Sequence, residues 1–389
     1  MLLNGSEGSA SRSEGLKQRV VILSAFQDYR SRKKASIQQV AEGLSKTGYE
    51  VTFISTRFSQ LSARTGDSRL FLREKSNKIE LVDGVRCYLW RTAVHPFSSK
   101  NVVLQALMYP AFEAYKRWPN EDVDQLLSDA DYVVVESGVA AIYIERVRRL
   151  NAAAKIIYYA ADLLDTIGVH PFVQDQLDRN RVHIDHVCLR STLMKDDFPW
   201  AKGRLYKAEF GINKANYERI GPNPYPGGQH AVSVGSMLFD PAYFVAVAEE
   251  MPAVTFHVIG SGLTFAAPEN VKIYPEMRFV ETLPFLKHAT IGIAPYKLAP
   301  GVEYLAESSL KLAQYDYFGL PSVCPTFAVG EQPNRFGYNP GERASMVATT
   351  AVALAAAANG PMKGREFGSW AQVGERMLQP VQHGVPLLA

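Results

Sequence analysis

The stretch RVVILSAFQDYRSRKKASIQQVAEGLSKTGYEVTFIST (19–56) decides the fold class. Its opening, RVVILSAF (19–26), is an apolar, β-branched run with the length of a buried strand. SIQQVAEGLSKTGY (36–49) spaces its apolar residues as a helix does and carries a glycine near its end. EVTFIST (50–56) is a second strand. A strand, a basic loop, a helix and another strand, in that order, open a parallel sheet. The alternation continues outward through VRCYLWRT (85–92), a helical region ending near Trp118, DYVVVES (131–137) and AKIIYYAAD (154–162). HVCLRS (186–191) is read as the last strand of this series.

The texture changes at GINKANYERIGPNPYPGGQ (211–229), where clustered Gly, Pro and Asn mark a linker. Beyond it, HAVSVGS (230–236), VTFHVIGSG (254–262), NVKIYPE (270–276), TIGIAPY (290–296) and PSVCP (321–325) read as strands separated by helical segments. Two such series predict an α/β protein of two Rossmann-like, doubly wound parallel-sheet domains facing a cleft. Ligands are then expected at the carboxyl ends of the strands. The expected division is a disordered polar tail (1–18), a first domain (19–212), a linker (213–229) and a second domain (230–365). The last segment, 366–389, is amphipathic around 367–379 and is expected to pack back on the first domain. A chain of 389 residues is too long for one ordinary domain and comfortable for two.

Composition narrows the function classes. Hydrophobic residues make up 47% and charged residues 21%, the balance of a soluble globular protein. The first fifteen residues lack the apolar core of a signal peptide. No apolar run approaches the roughly 20 residues of a spanning helix, so a cytoplasmic protein is expected. Cys87, Cys188 and Cys324 are far apart and read as buried free thiols, and the eight histidines show no metal spacing. Charge is uneven: residues 1–100 hold 17 Lys and Arg against 9 Asp and Glu, whereas residues 211–389 hold 12 against 14. A basic front end favours an anionic partner, such as a membrane surface or a phosphorylated substrate. No DNA- or RNA-binding motif is present, so no nucleic acid partner is expected. Asp122-Val123-Asp124 spells DxD, but it sits in an acidic helical stretch of the first half and reads as chance.

The GxGxxG dinucleotide fingerprint is absent after the first strand, which argues against a nicotinamide or flavin enzyme. Glycine turns follow strands of the second half instead, at VGSM (234–237) and GSG (260–262), where backbone can approach a ligand closely. The strongest local signal is ESSLKLAQYDYFGLPSVCP (307–325). Ser308 and Ser309 are N-cap candidates, so the amides of the following helix point at an anion. Lys311 in the first turn adds a positive charge for a diphosphate, and Gln314 one turn on can bond ribose hydroxyls.

In this order the second-half signals resemble the donor half of GT-B glycosyltransferases. More narrowly, residues from about 20 to 340 resemble the glucuronosyltransferases of xanthan-type exopolysaccharide assembly, glycosyltransferase family 70. The stretches that carry this are YLWRTAVHPF (88–97), VVVESGVA (133–140), VGSMLFDP (234–241), FHVIGSG (256–262), SSLKLAQYDYFGLPSVCP (308–325) and RFGYNPG (335–341). The resemblance implies an inverting, metal-independent enzyme without a cofactor. It implies transfer of glucuronic acid from UDP-glucuronate to a mannose-terminated oligosaccharide on a polyprenyl diphosphate, at the cytoplasmic side of the inner membrane.

The resemblance also assigns residues. Asp162, in YYAADLLDTIGV, is the implied catalytic base, with Asp165 as its rival; the strand AKIIYYAAD independently ends there, at the expected cleft. For UDP it points to Met237, Glu276, Met277, Tyr296, Ser309, Lys311 and Gln314. Asp240 is implied to be structural or near the sugar. The family's acidic residue after the Gly-Val turn is Asn213 here, a departure that removes one charge. In the front half, Arg30, Arg32, Lys33 and Lys34 form a basic loop that can meet lipid or acceptor phosphates. The stretch SQLSARTGDSRLFLREK (59–75) is expected along the membrane interface, and Trp90, Arg91 and His95 are candidates for the acceptor cleft. Three other readings remain open: a sugar-nucleotide 2-epimerase, a retaining GT-B transferase, and a non-catalytic nucleotide-binding subunit.

Overall fold

Strands β1 (Arg19–Ser24) and β2 (Glu50–Phe58) pair in parallel because the helix Ser36–Lys46 carries the chain back between them. That helix buries Ile37, Val40, Ala41 and Leu44 on one face, as its i, i+3, i+4, i+7 spacing dictates. β3 (Ile79–Val82) and β4 (Val85–Arg91) form an antiparallel hairpin, and β5 (Tyr132–Glu136), β6 (Lys155–Ala160), β7 (His186–Leu189) and β8 (Leu205–Lys207) complete an eight-stranded sheet. Its order is β3-β4-β2-β1-β5-β6-β7-β8, parallel apart from the hairpin. The fold is that of a computed structural model describing residues 17–99, 101–360 and 362–388. The tail expected over residues 1–18 therefore lies almost wholly outside the described residues.

After the short β9 (Gly211–Ile212), a second sheet is built from β10 (Gln229–Val234), β11 (Val254–Ile259), β12 (Val271–Tyr274), β13 (Ile291–Ile293), β14 (Ser322–Pro325) and β15 (Arg335–Tyr338). All of its pairings are parallel and its order is β12-β11-β10-β13-β14-β15. That is the doubly wound 3-2-1-4-5-6 order, with its topological switch point between β10 and β13. The first sheet reverses in the same way between β1 and β5.

Three strands of the two main sheets lie beyond the sequence reading. β3 is half-exposed at the sheet edge, so it lacks the apolar run that marks a buried strand. β8 has only three residues, and β15 follows PSVCP, the last stretch with a strand signature in the second half. Residues Lys214–Glu218, inside the stretch read as linker, form a short helix.

The chain ends on the front lobe. β16 (Gly368–Ser369) pairs in parallel with β9, and the helix Trp370–Leu378 packs against Ser36–Lys46. The two helices touch through glycine. A Cβ on Gly43 would stand 2.5 Å from the backbone nitrogen of Ala371, and one on Gly374 would stand 2.7 Å from Leu44 Cγ. Removing both side chains lets the backbones approach closely enough to bury Trp370, Val373 and Met377 in the front-lobe core.

Candidate active site

The carboxyl ends of β1 and β6 in the front sheet face those of β10 and β13 in the rear sheet across a cavity of about 280 Å³. Asp162, Met237, Glu276, Met277, Tyr296, Ser309, Lys311 and Gln314 all line it. Sequence separations of up to 152 residues thus converge on one space, as the switch-point rule requires.

The rear wall is shaped by backbone geometry. After β10, Gly235 takes a φ of 95° and Leu238 a φ of 46°, which turns the chain sharply at Met237. A branched aliphatic residue with positive φ is an uncommon, strained conformation of the kind found at functional sites. Met237 is 38% exposed there, on the cavity wall. Gly260, at a φ of 64°, turns the chain after β11 beside Glu276, where an added Cβ would stand 3.5 Å from the Glu276 Cα.

The helix Leu310–Phe318 starts at the cavity. Ser309 is its N-cap and accepts a hydrogen bond from the Leu312 N–H at 3.1 Å, while its Oγ also meets the Tyr296 hydroxyl. Ser308 ends the preceding short helix instead of capping, and its buried Oγ has no partner among the described residues. Lys311 Nζ donates to Ser233 Oγ at 3.3 Å and lies 5.3 Å from the centre of the Tyr296 ring. Burial, and then the Lys33 charge, pull the Lys311 ammonium down to about 7. Amide donors, an orphan hydroxyl and a lysine made reluctant to carry its charge all favour an anion at this spot.

The front wall carries the carboxylate. The Asp162 N–H is anchored by Ser137 Oγ at 3.1 Å, and its Oδ1 accepts from the Tyr304 hydroxyl at 2.9 Å. Burial raises the Asp162 pKa above the usual carboxylate range, while the Tyr304 hydroxyl and then the Arg190 charge oppose the rise. Ser24 Oγ donates to the neighbouring Glu136, whose pKa burial pushes up to about 8, with the Asp162 charge adding to the rise. The two neighbouring carboxyls therefore differ: burial favours the protonated form of Glu136, whereas Asp162, half-buried, has donors that favour its ion. Arg190 is 2% exposed and bonds the carbonyls of Ala208 and Glu209. Its guanidinium lies over the Phe210 ring at 3.8 Å, and its Nη2 has no partner among the described residues.

Several sequence candidates lie elsewhere. Asp165 is exposed and off the cavity. Asp240 caps the helix Pro241–Glu250 by accepting from Ala242 N–H. Asn213 bonds Glu42 on the front lobe at 3.2 Å, outside the cavity. Trp90 is core, packed on Tyr143 and under Arg146, and His95 is buried against Ser59 Oγ at 2.8 Å. Of the basic loop, Arg30 is consumed by Asp28 and Glu80, whereas Lys33 and Lys34 do line the cavity: Lys34 bonds the Tyr29 carbonyl, and Lys33 reaches across to Ser236 Oγ at 3.1 Å. Arg32 remains exposed. Both DxD carboxylates are taken structurally, Asp122 by the Tyr88 hydroxyl and Asp124 by Arg146.

Sequence reasoning missed Tyr304, Arg190 and the role of Ser308. The serine doublet at 308–309 hinted at the last of these; nothing in GVEYLAES marks Tyr304.

Two Rossmann-like lobes with this cavity between their carboxyl edges define a GT-B glycosyltransferase. Solved structures agree on the fold: sucrose-phosphate synthase of Thermosynechococcus elongatus superposes with a TM-score of 0.54 at 11% identity, covering 94% of both chains. The E. coli trehalose-6-phosphate structure bound with UDP-2-fluoro glucose gives 0.57 at 12% identity, over 94% of this chain and 96% of that one. The family model of the glucuronosyltransferase GumK N-terminal domain matches residues 22–190. The UDP-glucuronate:glycolipid 2-beta-glucuronosyltransferase of Xanthomonas campestris pv. campestris is 38% identical over 378 residues, 96% of this chain and 93% of that protein. The chain belongs to the GumK family of glucuronosyltransferases.

Proposed function

We propose that the protein transfers glucuronic acid from UDP-glucuronate to a mannose-terminated oligosaccharide on a polyprenyl diphosphate, with inversion and without a metal. One observation carries this reading: the Asp162 carboxylate and the N-terminus of the helix Leu310–Phe318 wall the same cavity. In the proposed reaction the acceptor hydroxyl attacks the anomeric carbon from the face opposite UDP. Its proton passes to Asp162, whose Oδ2 has no hydrogen-bond partner among the described residues. The diphosphate leaves against the helix amides, Ser308 Oγ and Lys311, which supply the charge a metal would otherwise provide. Glu276 and Met277 are assigned to the uracil edge, Tyr296 and Gln314 to ribose or phosphate oxygens, and Met237 to the base face. The relative's name supports both the UDP-glucuronate donor and a glycolipid acceptor.

Peripheral attachment to the inner membrane is part of the proposal. No helix among the described residues is long and apolar enough to cross a membrane. The helix Val102–Lys116 instead leaves Val102, Val103, Leu104, Leu107 and Tyr109 exposed on the more basic half of the chain. Such a surface suits lipid better than water.

The test incubates the protein with the lipid-linked trisaccharide and radiolabelled UDP-glucuronate, UDP-glucose or UDP-galactose, then reads the anomeric configuration of the product by NMR. Label transferred from UDP-glucuronate alone, with the configuration inverted, is expected. Equal transfer from UDP-glucose would overturn the donor assignment, and a retained configuration would overturn the mechanism.

A further inference from the structure

The carboxyl edge of the front sheet carries a second feature, away from the cavity, built around Arg57. β2 and β4 pair in register up to Ser55 opposite Leu89, then shift so that Phe58 meets Arg91. Within this bulge Arg57 holds a φ of 56°. A non-glycine residue in the left-handed region is strained, and bulges beside functional sites commonly re-aim one side chain.

The bulge is clamped from below. Arg69 is 2% exposed and spends its guanidinium on backbone: Nη1 donates to the carbonyls of Ala25 (3.1 Å) and Thr56 (2.9 Å), and Nη2 to that of Arg57 (3.0 Å). Asp67 holds Arg69 in place with two further bonds, at 2.8 and 3.0 Å. The Arg57 N–H donates to the Tyr115 hydroxyl at 2.8 Å. A buried arginine thus serves to keep its neighbour's backbone in an unfavourable conformation.

The Arg57 side chain itself has no such employment. Its guanidinium sits 5.4 Å from the centre of the Phe26 ring and has no hydrogen-bond or ion-pair partner among the described residues, although it is partly buried. Burial, and then the Arg69 charge, lower its pKa from the ordinary arginine value. Gly138 makes room for the ring: at φ 131° its missing Cβ would otherwise stand 2.8 Å from Phe26 Cε2. The nearby Asp67 carboxylate offsets part of the cost of burying the Arg57 charge but spends its oxygens on Arg69, leaving the Arg57 guanidinium a planar fork that matches phosphate oxygens.

We infer that Arg57, on its Phe26 platform, is a phosphate-binding site for the diphosphate of the lipid-linked acceptor. The inference rests on the acceptor reading given above. Position supports it: β2, β1, β5 and β6 are consecutive in the sheet, so Arg57 and Asp162 stand three strand spacings apart, about 14 Å. Tyr115, which holds the Arg57 amide, belongs to the helix Val102–Lys116, whose other turns expose the apolar side chains.

The experiment compares two soluble acceptors bearing the same oligosaccharide, one on a short alkyl diphosphate and one on an uncharged alkyl chain, without membranes. In Arg57→Gln, the kcat/KM preference for the diphosphate acceptor should fall at least about tenfold, through KM, while UDP affinity stays at the wild-type value. An unchanged preference, or an equal loss on both acceptors, would overturn the site. A second arm uses wild-type protein at saturating donor, independent of any folding defect. Inorganic pyrophosphate should compete with the diphosphate acceptor and not with the uncharged one; absence of competition also overturns it. Cosedimentation with phosphatidylglycerol vesicles separates the two phosphate sources. Wild-type-like vesicle binding by Arg57→Gln is expected, whereas weakened binding with an intact acceptor preference would assign Arg57 to lipid headgroups and overturn the acceptor site. If wild-type protein used neither acceptor, the acceptor reading itself would fail.

Discussion

The hydroxyl of Tyr304 donates to Asp162 Oδ1 at 2.9 Å, so a rear-lobe side chain holds the carboxylate that ends the front-lobe strand β6. The two residues are 142 apart in the chain. Separating the lobes would therefore take from Asp162 a donor that favours its ionised form.

Tyr304→Phe removes that donor and leaves the ring. The Asp162 pKa is already raised by burial and is lowered by Tyr304, so the variant's carboxyl should titrate still higher. In the proposed reaction Asp162 must be deprotonated, so the acid limb of the pH profile of kcat/KM should move to higher pH. A purely structural role for Tyr304 would lower the plateau and leave the limb in place.

Lys311 should make UDP binding pH-dependent. Its ammonium falls from 10.5 to about 7, by burial first and Lys33 second. Between those values the unfolded chain holds a proton that the empty folded site lacks, so stability of the unliganded protein should rise with pH across that window. A bound diphosphate restores the charge, so UDP binding should take up a proton above pH 7 and weaken toward pH 9. Calorimetry in two buffers of different ionisation enthalpy reads the uptake directly. Lys311→Met should abolish it.

Glu136 gives the opposite sign. Its folded pKa of about 8 lies above the ordinary 4.5, because of burial and then Asp162. The folded state therefore holds the extra proton, and stability is lost as pH rises from about 4.5 through 8. Glu136→Gln stays neutral throughout. Its melting temperature should match that of wild type near pH 4.5 and exceed it at pH 8, by thermal unfolding; an equal offset at both values would mean the carboxyl is not titrating there.

What was legible in the sequence follows from burial. RVVILS, YVVVE and QHAVSV announce themselves because central parallel strands are apolar on both faces. IELV at the hairpin edge and the three residues of β8 carry no such signature. The helix N-terminus at Ser309 could be read from its capping chemistry, and the resemblance named eight residues that do face one cavity. Tyr304, Arg190 and the unusual φ of Arg57 could not be read, because each is imposed from another part of the chain. EVTFISTRF looks like a plain strand until Arg69 pulls on its carbonyls.

The account depends above all on Asp162 acting as base toward an acceptor while UDP sits on the opposite wall. Asp162→Asn keeps the shape and loses the basicity, and its UDP affinity and turnover can be measured on one preparation. UDP affinity within about threefold of wild type, with turnover down by at least about 10²-fold, is the predicted result. Turnover near wild type with the amide in place would contradict it.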